Sequence, residues 1–163
     1  MTNAAQTIQI FIDADACPVK DEAYRVATRH GLMVHVVANS ALRVPQSPRI
    51  KRVIVNDSFD AADNWIAERA RTGSIVITAD IPLAGRCLAT GAEVLNHTGQ
   101  PFTENSIGMA LAMRELMQDL RAMGEAGGGN KPFGPKDRSR FLEALERSIV
   151  KLKRAGFLAG ELR

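Results

Sequence analysis

Short apolar runs alternate along the chain with longer segments in which apolar residues recur at helical spacing. The runs are rich in valine and isoleucine and nearly continuous, as in strands buried on both faces of a parallel sheet. They occupy residues 8–12, 32–38, 53–55, 74–78 and 92–95. Segments with helical periodicity follow four of these runs. The alternation predicts an α/β fold with a mostly parallel central sheet of about five strands.

Turn and cap residues mark where the helices are expected to begin and end. Pro18 fits the first turn of the first helix, and Gly31 offers its C-terminal stop. Thr103 is expected to cap a long helix over residues 103–123. The candidate core positions of that helix are Ile107, Leu111, Leu116, Met117 and Leu120.

The C-terminal third of the chain has a different organisation. Residues 125–136 hold four glycines and two prolines with no periodicity, which predicts a flexible connector. Beyond it, Asp137 is expected to cap an amphipathic helix whose apolar stripe is Phe141, Leu142, Leu145, Ile149 and Leu152. The prediction is an α/β domain over 1–124, a connector over 125–136 and a basic helical extension over 137–163.

Composition narrows the classes of protein that fit. With 163 residues and 45% hydrophobic residues, the chain is long enough for one domain with a substantial core. Its two cysteines, Cys17 and Cys87, suggest neither a disulfide framework nor a zinc site. The N-terminus lacks a basic signal region, and no apolar run approaches the roughly 20 residues of a membrane span. We expect a soluble cytoplasmic protein with no membrane partner.

Positive charge is concentrated in two places although the net charge is only +3. Residues 131–154 carry eight Lys/Arg against three Asp/Glu. The loop after the second strand contributes Arg43, Arg49, Lys51 and Arg52 with no acid among them. These four are candidate phosphate contacts for nucleic acid, although solvated charge is the commoner meaning of such runs. One Trp and one Tyr in the chain argue against recognition by base stacking.

Aspartates follow the predicted strands. Asp13 and Asp80 come directly after two strands, whose carboxyl ends meet at one crevice of an open α/β sheet. Asp60 and Asp63 are three residues apart on a helix and therefore share a face. Asp15 and Asp60 could equally be helix caps. Carboxylates gathered in a crevice repel one another unless a cation lies among them, and their hard oxygen atoms suit Mg²⁺ or Mn²⁺.

Two chemistries fit such a site. A metal can activate water and stabilise charge on a phosphodiester, with no protein nucleophile. Alternatively, the Asp13-Ala14-Asp15 sequence resembles the opening of haloacid-dehalogenase-type phosphatases, in which the first aspartate is the nucleophile. Those enzymes usually carry threonine or valine where this chain has Cys17, so this alternative ranks lower. A non-catalytic RNA- or protein-binding module is a third alternative.

Three further residues are candidates for supporting positions. Cys17 stands at a predicted helix N-terminus, which favours thiolate, whereas the neighbouring aspartates disfavour it; we expect a structural or supporting position. Thr78, two residues before Asp80, could orient that carboxylate. His97 could be a general base or a phosphate contact, or a histidine with no catalytic part.

Several motifs appear in order along the chain: FIDADACPVK, NDSFDAAD, ITADIPLA, VLNHTG and GGGNKPFGPKDRSRF. Together they resemble the YaiI/YqxD family of uncharacterised bacterial proteins, and the resemblance extends from about residue 8 to residue 152. If the last motif is a family feature, residues 125–136 are more than a linker. Lys136, Arg138 and Arg140 are then expected to reach the crevice.

The resemblance has implications for fold and activity. The family is grouped with PIN-like domains, so a PIN-like three-layer domain is expected. PIN-like proteins are typically Mg²⁺- or Mn²⁺-dependent ribonucleases, which makes a nuclease acting on RNA or another phosphodiester the leading hypothesis. The resemblance leaves open whether the chain forms a homo-oligomer.

The resemblance also implies a set of site residues. It places metal-binding and catalytic acids at Asp13, at Asp63 or Asp60, and at Asp80. We expect Asp13, Asp63 and Asp80 to bind the metal, with Asp15 and Asp60 supporting them. A fourth PIN acid often follows the next strand, but that place is held here by Asn96 and His97, so the number of metal ions stays open.

Overall fold

A computed structural model describes residues 7–15, 17–58, 60–124 and 132–160. Within these ranges five strands and five helices alternate in the predicted way. In chain order they are β1 (Gln9–Asp13), α1 (Lys20–His30), β2 (Met33–Ala38), β3 (Ile50–Ile54), α2 (Ala61–Arg69), β4 (Ser74–Ile77), α3 (Ile81–Ala89), β5 (Glu93–Leu95), α4 (Glu104–Ala122) and α5 (Pro135–Arg154).

All five strands form one parallel sheet in the order β3-β2-β1-β4-β5. β1 lies at the centre, where Ile12 pairs with Ile77 of β4 and Asp13 pairs with Val37 of β2. From β1 the chain continues to β2 and β3 on one side, and it then returns to β4 and β5 on the other side of β1. The predicted parallel sheet is confirmed, and polar residues after β1 and β4 lie at one edge.

Successive side chains of β1 point to opposite faces of the sheet and so belong to two separate parts of the core. Ile10 and Ile12 pack with α1 and α5 on one face, in a cluster that also holds Phe141. Phe11 points to the other face and packs with α2 and α3, against residues such as Ile66. Two helical layers therefore enclose the sheet, as in a three-layer PIN-like domain.

The limits of three elements differ from the sequence prediction. α1 begins at Lys20, because Pro18 and Val19 form a turn before it. α5 begins at Pro135 with Gly134 as its N-cap, and Asp137 at the third helical position accepts a hydrogen bond from the Gly134 N–H. The third strand begins at Ile50 rather than at residue 53. Ile50 is buried, but Lys51 and Arg52 after it are charged and exposed at the edge of the sheet, so the sequence did not suggest that the strand begins there.

The predicted cap of α4 is confirmed, but its predicted core is wrong. The Thr103 hydroxyl accepts from the Ser106 N–H, and the Ser106 hydroxyl bonds back to the Thr103 N–H. α4 packs on α3 and has no buried residue along its length. Of the predicted core positions, Ile107, Met117 and Leu120 are half-buried and Leu111 and Leu116 are exposed. The helix rests on another helix rather than on the sheet, so only part of its apolar surface is covered.

The C-terminal helix α5 is part of the main core. Its predicted stripe is confirmed: Phe141, Leu145, Ile149 and Leu152 are buried and Leu142 is half-buried. The predicted connector falls largely on residues 125–131, which lie outside the described residues. Among the helices that the structure describes, none has the length and apolarity needed to cross a membrane.

Two truncations should separate the helices by their contribution to stability. Phe141 is fully buried, so Phe141→Ala is expected to lower the free energy of unfolding by about 3–5 kcal/mol. The Met113 side chain on α4 is 57% exposed, so Met113→Ala should change it by less than about 0.5 kcal/mol. Urea unfolding followed by circular dichroism measures both. Equal losses for the two variants would contradict this account of the core.

Candidate functional site

A hydroxyl joins the ends of the two central strands. Asp13 is the last residue of β1, and Thr78 follows the last residue of β4. The Thr78 hydroxyl donates to Asp13 Oδ2 at 2.8 Å and accepts from the Asp80 backbone N–H at 3.0 Å. Thr78 is fully buried, so this pair of bonds is shielded from water. The hydroxyl therefore orients the carboxylate of Asp13 and not, as the sequence suggested, that of Asp80.

Side chains from the carboxyl ends of the strands line one pocket of about 400 Å³. We call it the acid pocket. Its lining residues are Asp13, Asp15, Asn39, Ser58, Ala62, Asp63, Ala79, Asp80 and His97. The structure thus brings together the three acids predicted to bind metal, along with Asp15 and His97.

Local structure positions each acid of the pocket. Asp80 is the N-cap of α3, and its Oδ1 accepts from the Leu83 N–H at 2.9 Å. Asp63 lies in the first turn of α2 and has no hydrogen bond or ion pair among the described residues. Asp15 is exposed, and its Oδ2 accepts from the Asn39 N–H at 3.3 Å. Asp13 and Asp80 are therefore held in place, whereas the Asp63 side chain is free to adjust.

Burial and mutual repulsion make two of the acids, Asp13 and Asp63, harder to ionise. Burial, followed by the charges of Asp80, Asp13 and Asp60, raises the pKa of Asp63 to about 6. Burial also raises the pKa of Asp13, and the charges of Asp80 and Asp15 add to the rise, although the bond from Thr78 opposes it. The group is destabilised as a set of anions, which a cation among the carboxylates would relieve.

The donor chemistry of the acid pocket suits a hard divalent cation. Its acids offer only oxygen atoms, as Mg²⁺ and Mn²⁺ prefer. Within the described ranges, no group of three or more His, Cys, Asp or Glu side chains is arranged to hold a metal ion. Mg²⁺ usually binds one or two carboxylates and keeps several waters, so a complete cage of protein ligands is not required. The residues present fit a largely hydrated ion.

His97 lines the acid pocket in an uncharged state. Its Nε2 is buried and has no hydrogen-bond partner in the part of the chain that is described. Burial, helped by the nearby charge of Lys20, lowers the pKa of His97. Lys20 donates to the Cys17 carbonyl at 2.9 Å. The ammonium of Lys20 at the start of α1 is therefore close enough for its charge to act on His97, although Lys20 does not itself line the acid pocket.

Four of the predicted supporting residues are not among those that line the acid pocket: Asp60, Cys17, Thr78 and Asn96. Asn96 Oδ1 accepts from the Thr98 and Gln100 backbone N–H groups and shapes the turn after β5. Asp60 is exposed before α2 and makes no side-chain capping bond, although its charge contributes to the raised pKa of Asp63. The bonds of Asn96 to the turn therefore account for an asparagine at this position without a part in the site.

The predicted nucleic-acid residues lie away from the acid pocket. Arg49 precedes β3 at the opposite, amino edge of the sheet, where it donates to the Gly31 carbonyl at 2.6 Å and the Gly160 carbonyl at 3.2 Å. Arg52 donates to the Leu42 carbonyl at 3.1 Å and, with Arg43, lines a separate pocket of about 440 Å³. Lys51 is exposed on the edge strand. Arg49 holds chain segments together, and phosphate binding by the four residues remains a prediction.

Sequence reasoning missed Ser58, which lines the acid pocket, and Lys20, whose charge acts on His97. Ser58 lines the acid pocket from the segment before α2, inside the NDSFDAAD motif. Lys20 had no distinguishing pattern, because its proximity to His97 depends on how α1 and the loop after β5 meet. The motif pointed to Ser58, but nothing in the sequence pointed to Lys20.

Both cysteines should be unreactive in the native protein. Burial raises the pKa of Cys17 and of Cys87 to about 11 each, so only about one thiol in a thousand is ionised at pH 8. A chromogenic disulfide reagent should label both thiols at least 100-fold more slowly before unfolding than after it. The low ionised fraction of each thiol and its burial both slow the reaction in the native protein. The variants Cys17→Ala and Cys87→Ala assign the rates, and fast native labelling of Cys17 would refute a purely structural position.

Removing the Asp63 charge should stabilise the metal-free protein. A folded pKa of about 6, against an ordinary value of 3.8, means that stability is lost as the pH rises between those values. Asp63→Asn is therefore expected to raise the melting temperature by about 1–3 °C at pH 7.5, a small effect because the site is partly exposed. The difference should shrink toward pH 4.

Calorimetry in chelator from pH 4 to pH 8 measures this difference. Asp119→Asn, which removes an exposed carboxylate on α4, is the matched control. A lower melting temperature for Asp63→Asn than for wild type at pH 7.5 would contradict a charge at Asp63 that burial and its neighbours destabilise.

Comparisons with known proteins agree with the motifs seen in the sequence. The profile of the family described as "Uncharacterized BCR, YaiI/YqxD family" matches residues 11–151. A UPF0178 protein of Rhodopseudomonas palustris (strain HaA2) is 59% identical over 154 residues, covering 94% of this chain and 93% of the relative. A UPF0178 protein of Rhodospirillum rubrum is 60% identical over 148 residues, covering 90% and 99%.

No solved structure gives a significant match to the chain. The family match covers the strands, the acid pocket and most of α5, because it begins inside β1 and ends three residues before the end of α5. The protein is a member of the YaiI/YqxD family.

Proposed function

We propose that the protein is a divalent-metal-dependent nuclease that hydrolyses a phosphodiester, with single-stranded RNA as the substrate to test first. The observation that carries the proposal is the convergence of Asp13, Asp63 and Asp80 on one pocket, where burial and mutual repulsion raise the pKa values of two of them. Perturbed acids in a cleft are typical of functional sites. The resemblance to PIN-like ribonucleases supports the same reaction class.

Asp13, Asp63 and Asp80 would hold Mg²⁺ or Mn²⁺. When bound, such an ion activates water and stabilises negative charge on the phosphate. Asp13 and Asp80 are preorganised by Thr78 and by the start of α3, so their oxygen atoms need little rearrangement. Asp63 makes no hydrogen bond or ion pair among the described residues, although the charge of Arg86 acts on it, so its carboxylate remains available.

The other pocket residues would bind and orient the substrate. His97 is neutral, so it can exchange a hydrogen bond with a phosphate oxygen or a water without first losing a proton. Lys20 brings positive charge beside it. No protein nucleophile is needed for this reaction, in keeping with the buried, un-ionised thiol of Cys17.

An aspartyl phosphatase is the second candidate, since Asp13 and Asp15 both line the acid pocket. That reaction needs an ionised Asp13, as metal binding by the nuclease also does, so the raised pKa of Asp13 does not separate the two candidates. The convergence of Asp63 and Asp80 on the same pocket, which the nuclease uses as further metal ligands, favours the nuclease.

Cleavage of labelled single-stranded RNA tests the proposal. With Mn²⁺ or Mg²⁺ the wild type is expected to cleave, and chelator should abolish cleavage. Asp13→Asn and Asp80→Asn should each lower the rate roughly 100-fold or more, since each removes a charged ligand. Asparagine still offers an oxygen to Thr78 or to Leu83, so both variants should fold; Asp119→Asn on α4 is the matched control and should cleave normally.

A phosphate monoester substrate, assayed in parallel, distinguishes the alternatives. Release of phosphate through a trappable aspartyl intermediate at Asp13 would replace the nuclease by the phosphatase. RNA binding without cleavage under any metal condition would leave a non-catalytic binding module and refute the proposed reaction.

A further inference from the structure

Four basic side chains of α5 have no partner in the described part of the chain. They are Lys136, Arg140, Arg147 and Arg154, which we call the basic stripe. The other bases of the helix are engaged: Arg138 with Glu22 at 2.9 Å, Lys151 with Glu93 at 2.7 Å, and Lys153 with His30 at 2.9 Å. Three basic side chains of α5 are therefore used in contacts within the fold, and the four of the basic stripe can bind a ligand.

The basic stripe forms a single line along the helix. At about 100° per residue, its four members fall within an arc of roughly 40° and extend over roughly 27 Å. The buried residues Phe141, Leu145, Ile149 and Leu152 lie on the opposite side, so the stripe faces solvent. Two acids of the helix, Glu143 and Glu146, line one pocket with Arg147 and Arg154, and Glu146 is already paired with Arg29 and His30. A row of positive charges of this length fits an extended polyanion better than a small anion.

The N-terminal end of the stripe lies beside the acid pocket. A Cβ atom on Gly99 would come within 2.4 Å of the Arg140 carbonyl oxygen, so the loop carrying His97 is packed directly on the α5 backbone. On the other side, Arg138 donates to the Pro18 carbonyl at 3.2 Å, where the chain passes from β1 to α1. The start of α5 is thus fixed between two segments that border the acid pocket.

The stripe also fits a substrate better than the basic loop over residues 43–52. That loop has Arg49 and Arg52 bonded to backbone carbonyls, and Arg49 lies at the far edge of the sheet. Lys136 and Arg140, by contrast, have unengaged side chains near the edge that carries the acids. Positive charge is therefore available next to the acid pocket on α5 rather than on the loop.

We propose that the basic stripe binds the backbone phosphates of a single-stranded nucleic acid, and so holds the segment that leads away from the acid pocket. The inference rests on the proposed function for the identity of the polyanion. Phosphate contacts carry no sequence information, so the binding should be largely independent of sequence and strongly dependent on salt.

Fluorescence anisotropy with a labelled single-stranded RNA of about 12 nucleotides, in chelator to prevent cleavage, tests the stripe. The double variant Arg140→Gln, Arg147→Gln removes two charges seven residues apart on α5. The matched control Arg114→Gln, Arg121→Gln removes two exposed charges at the same spacing on α4. A third double variant, Arg43→Gln, Arg52→Gln, tests the loop.

The α5 variant is expected to bind on the order of tenfold more weakly at low salt, and to lower the slope of log K against log salt by about 1.4, the value for two lost phosphate contacts. The control should bind like the wild type, and thermal unfolding should show that all three variants are folded. Equal weakening in the α5 and α4 variants, or loss in the loop variant alone, would overturn the proposal.

The two proposals can fail separately. Cleavage that persists unchanged in the α5 variant refutes the stripe and leaves the nuclease intact. Binding that depends on the stripe in a protein that never cleaves RNA refutes the nuclease and leaves the binding surface. Absence of binding by the wild type at low salt refutes the stripe.

Discussion

Parallel pairing of β1 with β4 is the constraint on which the site depends. Because Ile12 lies opposite Ile77, the residues that follow the two strands emerge side by side. The buried Thr78 hydroxyl then joins the Asp13 carboxylate to the Asp80 backbone. The bonds of this hydroxyl couple the register of the sheet to the geometry of the acids. A shift of one residue in either strand would turn these side chains to the opposite face and disperse the pocket.

The acid pocket is an arrangement that works against folding. Asp13 loses most of its hydration, and burial together with the charges of the neighbouring carboxylates raises the pKa of Asp63 to about 6. A protein selected only for stability would not collect charges of one sign in a half-buried cleft. Their presence is understandable if a cation and an anionic substrate are bound there, and the neutral His97 and the ammonium of Lys20 fit the substrate side of that arrangement.

The two long helices, α4 and α5, both carry many apolar residues but bury them to different extents. α5 lies on the sheet, so its apolar stripe completes the main core while its opposite side carries the basic stripe. α4 lies on α3 and leaves Met109, Met113 and Leu116 more than half exposed. Stability therefore comes from contact with the sheet, not from the number of apolar residues that a helix contains.

The sequence by itself determined the α/β class, the five strands and the placement of Asp13 and Asp80 at one edge of the sheet. These features depend on local periodicity, on cap residues such as Thr103, and on the rule that residues after parallel strands share an edge. The burial of α4 could not be predicted, because periodicity shows which residues share a face and not what that face meets. Tertiary packing alone decided that Arg49 ties Gly31 to the C-terminal segment. It also placed the charge of Lys20 near His97 and packed the Arg140 backbone on the loop after β5, because such arrangements join residues far apart in the chain and depend on how whole elements dock.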